Sequence, residues 1–141
     1  MTLCDTGPLF ALMDTRQAVI RERCLKLLPT LRAPLVTTWP CLAEAMHLAY
    51  TRGRWPMQQR LWRLLAAHAI QIHNGNSVEA RRMEYLMEKY RDIPMDFADA
   101  SLVAAAETLG TRLVFATDSD FFVYRRHDRE PFEVVPGPVP R

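Results

Sequence analysis

Short apolar runs that stop at aspartate, glycine or proline alternate along this chain with longer segments whose apolar residues recur every three or four positions, and few folds accept that alternation. Leu3-Cys4 stops at Asp5-Thr6-Gly7-Pro8, a strand-to-helix corner where Pro8 can open a helix. Val19, Ile20, Cys24, Leu27 and Leu28 follow helical spacing until Pro29 and Pro34. Leu35-Val36-Thr37-Thr38 reads as a second strand, and Leu42, Ala45, Met46 and Ala49 give the helix after Pro40 an apolar face lasting to Gly53. Pro56 starts another helix, with Leu61, Trp62, Leu64 and Leu65 as its stripe. Ile70 to His73 alternates like a half-buried strand, and Asn74-Gly75-Asn76-Ser77 is a turn ending in a cap. An amphipathic helix from Val78 to Tyr90 follows, broken by Pro94. Asp96 caps a small-residue helix, Phe97 to Leu109, that Gly110 closes. Leu113-Val114-Phe115 and Phe132 to Val135 are the last strands. The pattern predicts an α/β domain with a central parallel sheet of about four to five strands, flanked by helices on both faces.

With 141 residues, 49% of them hydrophobic, the chain has apolar material for one core. The expected division is one domain over residues 1–135 and a loose Pro- and Gly-rich tail over 136–141. A net charge of +2 says nothing about a polyanionic partner, because phosphate binding depends on where charge sits. Cys4, Cys24 and Cys41 are odd in number and form no CxxC pair, so they read as buried thiols in a reducing compartment. No basic segment followed by an apolar stretch opens the chain, and no run reaches membrane-spanning length. A cytoplasmic protein without a membrane partner is expected.

In open α/β sheets ligands bind beyond the carboxyl ends of the strands, which directs attention to the residues there. Asp5 leaves the first strand, and Asp118, with Asp120 two residues on, leaves the Leu113-Val114-Phe115 strand. Glu44 lies about a turn into the helix after the second strand, and Asp99 in the first turn of the helix that Asp96 opens. Singly, each acid has a plainer explanation: a turn or cap for Asp5 and Asp118, a capping pair for Asp96 with Asp99. Glu44 resists it, because its neighbours Leu42, Ala43, Ala45 and Met46 suggest burial, where an unpaired carboxylate is costly. Carboxylates crowded on one edge would take up protons unless a cation neutralised them, and magnesium or manganese suits an all-oxygen site. Such ions activate water and stabilise charge on a phosphoryl group, so phosphodiester hydrolysis fits.

The four histidines, His47, His68, His73 and His127, have no cysteine partners at zinc-ligand spacing, and the serine elbow, the Walker loop and GxGxxG are absent. Arg81 with Arg82, and Arg52 with Arg54, could grip RNA phosphates or simply face solvent. Leu61, Trp62 and Leu65, with Met46 and Trp55, exceed what one small core needs, which suggests a homodimer or a partner groove.

Four motifs, Asp5-Thr6-Gly7-Pro8-Leu9, Thr37-Thr38-Trp39-Pro40-Cys41-Leu42-Ala43-Glu44-Ala45, Pro94-Met95-Asp96-Phe97-Ala98-Asp99-Ala100-Ser101-Leu102-Val103 and Ala116-Thr117-Asp118-Ser119-Asp120-Phe121, resemble in order and spacing the PIN-domain family, in particular the VapC-type toxins of bacterial toxin–antitoxin pairs. The resemblance implies a Mg2+- or Mn2+-dependent endoribonuclease with Asp5, Glu44, Asp99 and Asp118 as metal-holding catalytic acids. Asp96 and Asp120 would be accessory acids, and Thr6 would orient Asp5 or a water. It also implies a transfer or ribosomal RNA substrate, a cognate antitoxin and a homodimer. Ala116 departs from the pattern, since relatives usually carry Thr or Ser there.

Three alternatives stand beside this reading. Asp5-Thr6-Gly7 is also the signature of aspartic proteases, but that fold is nearly all β and the helical patterns here oppose it. A degenerate PIN-fold binding module would lack catalysis. A PIN nuclease that processes RNA without being a toxin has the same acids.

Overall fold

The computed structural model describes residues 1–140 and contains a five-stranded parallel sheet with helices on both faces. In chain order it runs β1 (Thr2–Cys4), α1 (Thr6–Ala11), α2 (Ala18–Leu27), β2 (Leu35–Thr38), α3 (Trp39–Ala66), β3 (Gln71–His73), α4 (Ser77–Lys89) and α5 (Phe97–Leu109). Then follow β4 (Leu113–Ala116), β5 (Arg125–Arg126), β6 (Glu130–Pro131) and β7 (Glu133–Pro136). The sheet order is β3-β2-β1-β4-β7, and β5 and β6 form a small antiparallel hairpin outside it. The parallel sheet and five helices exclude the aspartic-protease alternative.

Alternate residues of each inner strand face opposite layers, as the two-residue period of a strand requires. Leu3, Val36 and Val114 join the core under α4 and α5, whereas Cys4, Leu35 and Phe115 join the one under α1, α2 and α3. Leu3 is in register with Val36 on one side and Val114 on the other. The chain builds outward from β1 through β2 to β3, then returns to place β4 on β1's other side. The sheet order thus reverses between β1 and β4, the place where open α/β sheets form a ligand crevice at the strands' carboxyl ends.

The helix starts have identifiable chemical causes. Asp5, Thr38, Asn76 and Asp96 each cap the following helix, accepting from the backbone N–H of Thr6, Cys41, Glu79 and Asp99 respectively. For α4 the cap is therefore Asn76 rather than Ser77. Gly110, at φ 69°, supplies the left-handed residue that ends α5.

Sequence patterns divided α3 between Gly53 and Pro56; the chain passes through without a loop but kinks at Arg54, at φ 57° and ψ −154°. Pro56 cannot donate to the carbonyl of Arg52, four residues earlier, and Arg16 Nη2 fills the vacancy at 2.7 Å. The apolar stripe also divides. Leu61 is buried and Leu65 and Met46 pack on the core, leaving Trp55 and Trp62 exposed.

The last strand runs to Pro136, and beyond it Gly137 N–H donates to Ala116 O at 2.9 Å. Arg23 reaches the carbonyls of Pro136 and Gly137, so the tail is tied to the sheet through residue 137. The three cysteines are buried free thiols. Among the described residues no helix is long and apolar enough to cross a membrane.

Candidate active site

The crevice between β1 and β4 is lined with acid. Asp5 follows β1, Asp118 lies in the turn after β4, and Asp99 faces them from the first turn of α5. Asp5 and Asp99 are only 5% and 7% exposed, and neither is within ion-pair distance of a cationic side chain among the described residues. Elsewhere the buried acids are paired: Asp14 with Arg16 and Arg52, Glu79 with His73.

Each buried carboxylate is held by a fixed donor. Thr6 N–H donates to Asp5 Oδ1 at 2.8 Å, and the Tyr124 hydroxyl donates to Asp99 Oδ2 at 2.7 Å. Gly7 packs closely against the turn after β4: a Cβ there would collide with Thr117 Oγ1, so a side chain would force the threonine hydroxyl beside Asp118 to move. In that turn Asp118 Oδ1 accepts from Asp120 N–H at 3.1 Å.

Glu44 differs from the sequence expectation. It is exposed, because Leu42, Ala45 and Ala49 form the inward face of α3 and Glu44 stands off it. Its link to the crevice is Thr6, whose hydroxyl lies 3.4 Å from Glu44 Oε2 and 3.2 Å from the carbonyl of Cys41. Thr6 thus holds Asp5 through its backbone and reaches toward Glu44 with its side chain. Asp96, also exposed, caps α5 through Asp99 N–H at 2.8 Å.

Electrostatics couple these groups into one cluster. Burial, reinforced by Asp118, Asp99 and Glu44, pushes Asp5 well above the usual carboxylate range, although the Thr6 N–H pulls it down. Asp99 is raised to about 7 by burial and by Asp96, Asp120 and Asp118, against the lowering effect of Tyr124. Glu44 and Asp120 are raised too, first by partial loss of water and then by neighbouring carboxylates.

As the side chains stand, no three acidic, histidine or cysteine groups among the described residues are close enough to grip one ion. The donor set nevertheless fits a hard divalent cation. It is all oxygen, desolvated and mutually repelling, and its buried members lack a countercharge.

The basic candidates lie elsewhere. Arg82 pairs with Glu107 and Asp128, and Glu107 is eight residues, about 12 Å, along α5 from Asp99. That internal role occupies Arg82 away from the acids. Arg81 is exposed on α4, while Arg54 is the kink residue of α3 and lies over the Tyr50 ring, and Arg52, just before the kink, is near Asp14. Sequence reasoning missed Tyr124 altogether. Phe121, Phe122, Val123 and Tyr124 look like core residues, and nothing local marks a hydroxyl that meets an acid 25 positions away.

No curated protein matches the chain in sequence. In three dimensions it resembles Mycobacterium tuberculosis VapC20, described as a Sarcin-Ricin loop cleaving toxin, with a TM-score of 0.78 and 15% identity over 85% of this chain and 92% of that one. A toxin–antitoxin complex from Klebsiella pneumoniae matches with a TM-score of 0.65 and 21% identity, over 87% and 91% of the two chains. The PIN-domain family model matches residues 2–127, almost the entire α/β unit including every acid of the crevice, and the chain belongs to the PIN-domain family.

Proposed function

We propose that this protein is a metal-dependent endoribonuclease that hydrolyses RNA phosphodiesters and acts as the toxin of a type II toxin–antitoxin pair. The observation that carries the proposal is the pair of buried, cation-free carboxylates, Asp5 and Asp99, at the point where the sheet order reverses. Asp5, Glu44, Asp99 and Asp118 would hold magnesium or manganese, which supplies Lewis acidity toward water and a phosphoryl oxygen at neutral pH.

The protein's own part is positioning. Thr6 N–H and the Tyr124 hydroxyl fix the two buried acids, and Thr6 Oγ1 steadies Glu44 at the rim. Asp96 shapes the first turn of α5 that carries Asp99, and Asp120 closes the Asp118 turn. An edge of unneutralised carboxylates repels phosphate, so RNA binding and metal binding are coupled.

Likeness to a toxin described as cutting the sarcin–ricin loop and to a toxin–antitoxin complex supports an RNA substrate, transfer or ribosomal, and a small protein antitoxin. Exposed Tyr50, Trp55 and Trp62 on the two arms of α3 support a homodimer. A cytoplasmic location is the setting in which such a protein would meet these partners. The test is incubation of purified protein with structured RNAs and Mn2+ or Mg2+, followed by mapping of the new RNA ends. Discrete metal-dependent cuts, absent in Asp5→Asn and Asp99→Asn, are expected. Wild-type protein as inert as those variants would favour a PIN-fold binding module, and cutting without growth arrest on expression would favour RNA processing.

A further inference from the structure

Next to the acid edge, between the starts of α3, α4 and α5, is a cavity of about 420 Å³, within the size range of small-ligand sites. Trp39 and Phe97 line it and are 48% and 55% exposed. The Trp39 ring is fixed in place, its Nε1–H donating to Asn74 Oδ1 at 2.9 Å. Glu79 also lines the cavity and is only 6% exposed. Its Oε1 accepts from Thr108 at 2.6 Å and meets His73 Nε2 at 2.8 Å. Its Oε2 has no hydrogen-bond partner among the described residues, and Gly75 leaves it uncovered, since a Cβ there would stand 3.0 Å from it. The lining residues Pro40 and Ala43 share the start of α3 with Glu44, and Phe97 and Ser101 share the start of α5 with Asp99, so the cavity opens at the same helix ends that carry the acids.

We propose that this cavity takes one unpaired nucleobase of the RNA strand, stacked on Trp39 and Phe97 with an N–H edge turned to Glu79 Oε2, beside the phosphate being cut. The inference rests on the nuclease reading. Aromatic faces stack any base, whereas a buried carboxylate rejects phosphate and is a poor floor for an apolar side chain. The same carboxylate accepts from ring or exocyclic N–H groups, and the Asn74 amide, its oxygen occupied by Trp39, has N–H to offer a base carbonyl. One acceptor and one donor at a stacking site match the hydrogen-bonding edge of a base.

The test uses short single-stranded RNAs that carry each base in turn, or an abasic residue, beside a mapped cut. With wild-type protein the abasic RNA should be cut more slowly, and Trp39→Ala and Phe97→Ala should lower kcat/KM on base-bearing RNA by about 5- to 150-fold, the range of one lost stacking contact. On the abasic RNA the same variants should lose little more, and Glu79→Gln should change which base is preferred. Full additivity of the abasic and Phe97→Ala losses, or indifference of the wild type to the abasic residue, overturns the proposal. So does wild-type cleavage by both aromatic variants, and if they also escape inhibition by a protein partner, the cavity belongs to that partner. Should wild type and Asp99→Asn be equally inert on every RNA, the nuclease reading fails separately. The cavity is then judged by Trp39 fluorescence, taken as wild type minus Trp39→Phe: quenching by single-stranded oligonucleotides supports a base site, and no quenching overturns it.

Discussion

Asp99 combines burial, crowding by like charges and a single strong donor, and its donor is the residue that sequence could not reveal. Because the Tyr124 hydroxyl favours the ionised form, Tyr124→Phe should raise Asp99 above its value of about 7 and leave it more protonated at neutral pH. The acid limb of the kcat/KM profile should then move about one pH unit higher, equivalent to the ~1.4 kcal/mol expected of a lost bond to a charged group. A profile that falls in height without moving would mean Tyr124 only fills space. Asp5→Asn, Glu44→Gln, Asp99→Asn and Asp118→Asn should each cost more than the roughly 10- to 100-fold typical of groups that act through a ligand. Asp96→Asn should be mild in the same cleavage assay, since asparagine still caps α5. The positions of Asp5 and Asp118 were legible because residues after strands lie at a sheet's carboxyl edge, and that of Asp99 because the Asp96 cap marks the first turn of α5. The burial expected of Glu44 was mistaken, because Leu42 and Ala45 turn to the core while Glu44 and Ala43 stand exposed on α3.

At the scale of elements, boundaries written in turn chemistry were readable, and those made by tertiary contact were not. Pro40, Gly110 and the cap Asp96 fall where local rules place them, and the α4 cap is one residue earlier than its turn sequence suggested. The β5–β6 hairpin pairs strands of two residues each, too short for any alternation to register. Likewise α1, six residues long, exists as a bridge between the Asp5 cap and the core rather than through any periodicity of its own. Its close approach to the turn after β4 offers a sharp test at Gly7. Alanine normally stabilises a helix interior over glycine by about 0.5–1 kcal/mol, but here its methyl must displace Thr117, an overpacking that costs roughly 1–3 kcal/mol. Gly7→Ala should therefore lower stability in urea and slow cleavage by moving Thr117 beside Asp118. Adding Thr117→Ala should restore both, and a double-mutant cycle without coupling would show that the two loops do not constrain each other.

For the whole molecule, alternating strands and helices announced the parallel sheet, while the order β3-β2-β1-β4-β7 came from packing that no local pattern encodes. That order concentrates negative charge at one edge, and the folded chain's stability should record it. Asp5, Glu44, Asp99 and Asp120 all titrate above their ordinary values, so the native state holds more protons than the unfolded chain between those values and the raised ones. In metal-free protein the stability these groups contribute is complete only below their ordinary values, about 3.8 for aspartate, and is lost as pH rises through the Asp99 value of about 7. Asp128, lowered by Arg82 and Lys89, acts in the opposite sense and only at more acid pH. Tm without metal should therefore decline from about pH 5 to pH 8, and Asp99→Asn should flatten the decline. Manganese should reverse it, because protons and metal compete for the same oxygens and the metal gains as they ionise. At about a hundred times its Kd it adds roughly 2.7 kcal/mol, which for a domain of this size is a rise in Tm on the order of 5 to 15 °C. The rise should be largest near pH 8, small near pH 5 and strongly reduced in Asp5→Asn and Asp99→Asn. Differential scanning fluorimetry across that range, with and without millimolar manganese, decides the matter: an unchanged wild-type Tm at pH 8 would mean that these acids do not form a metal site.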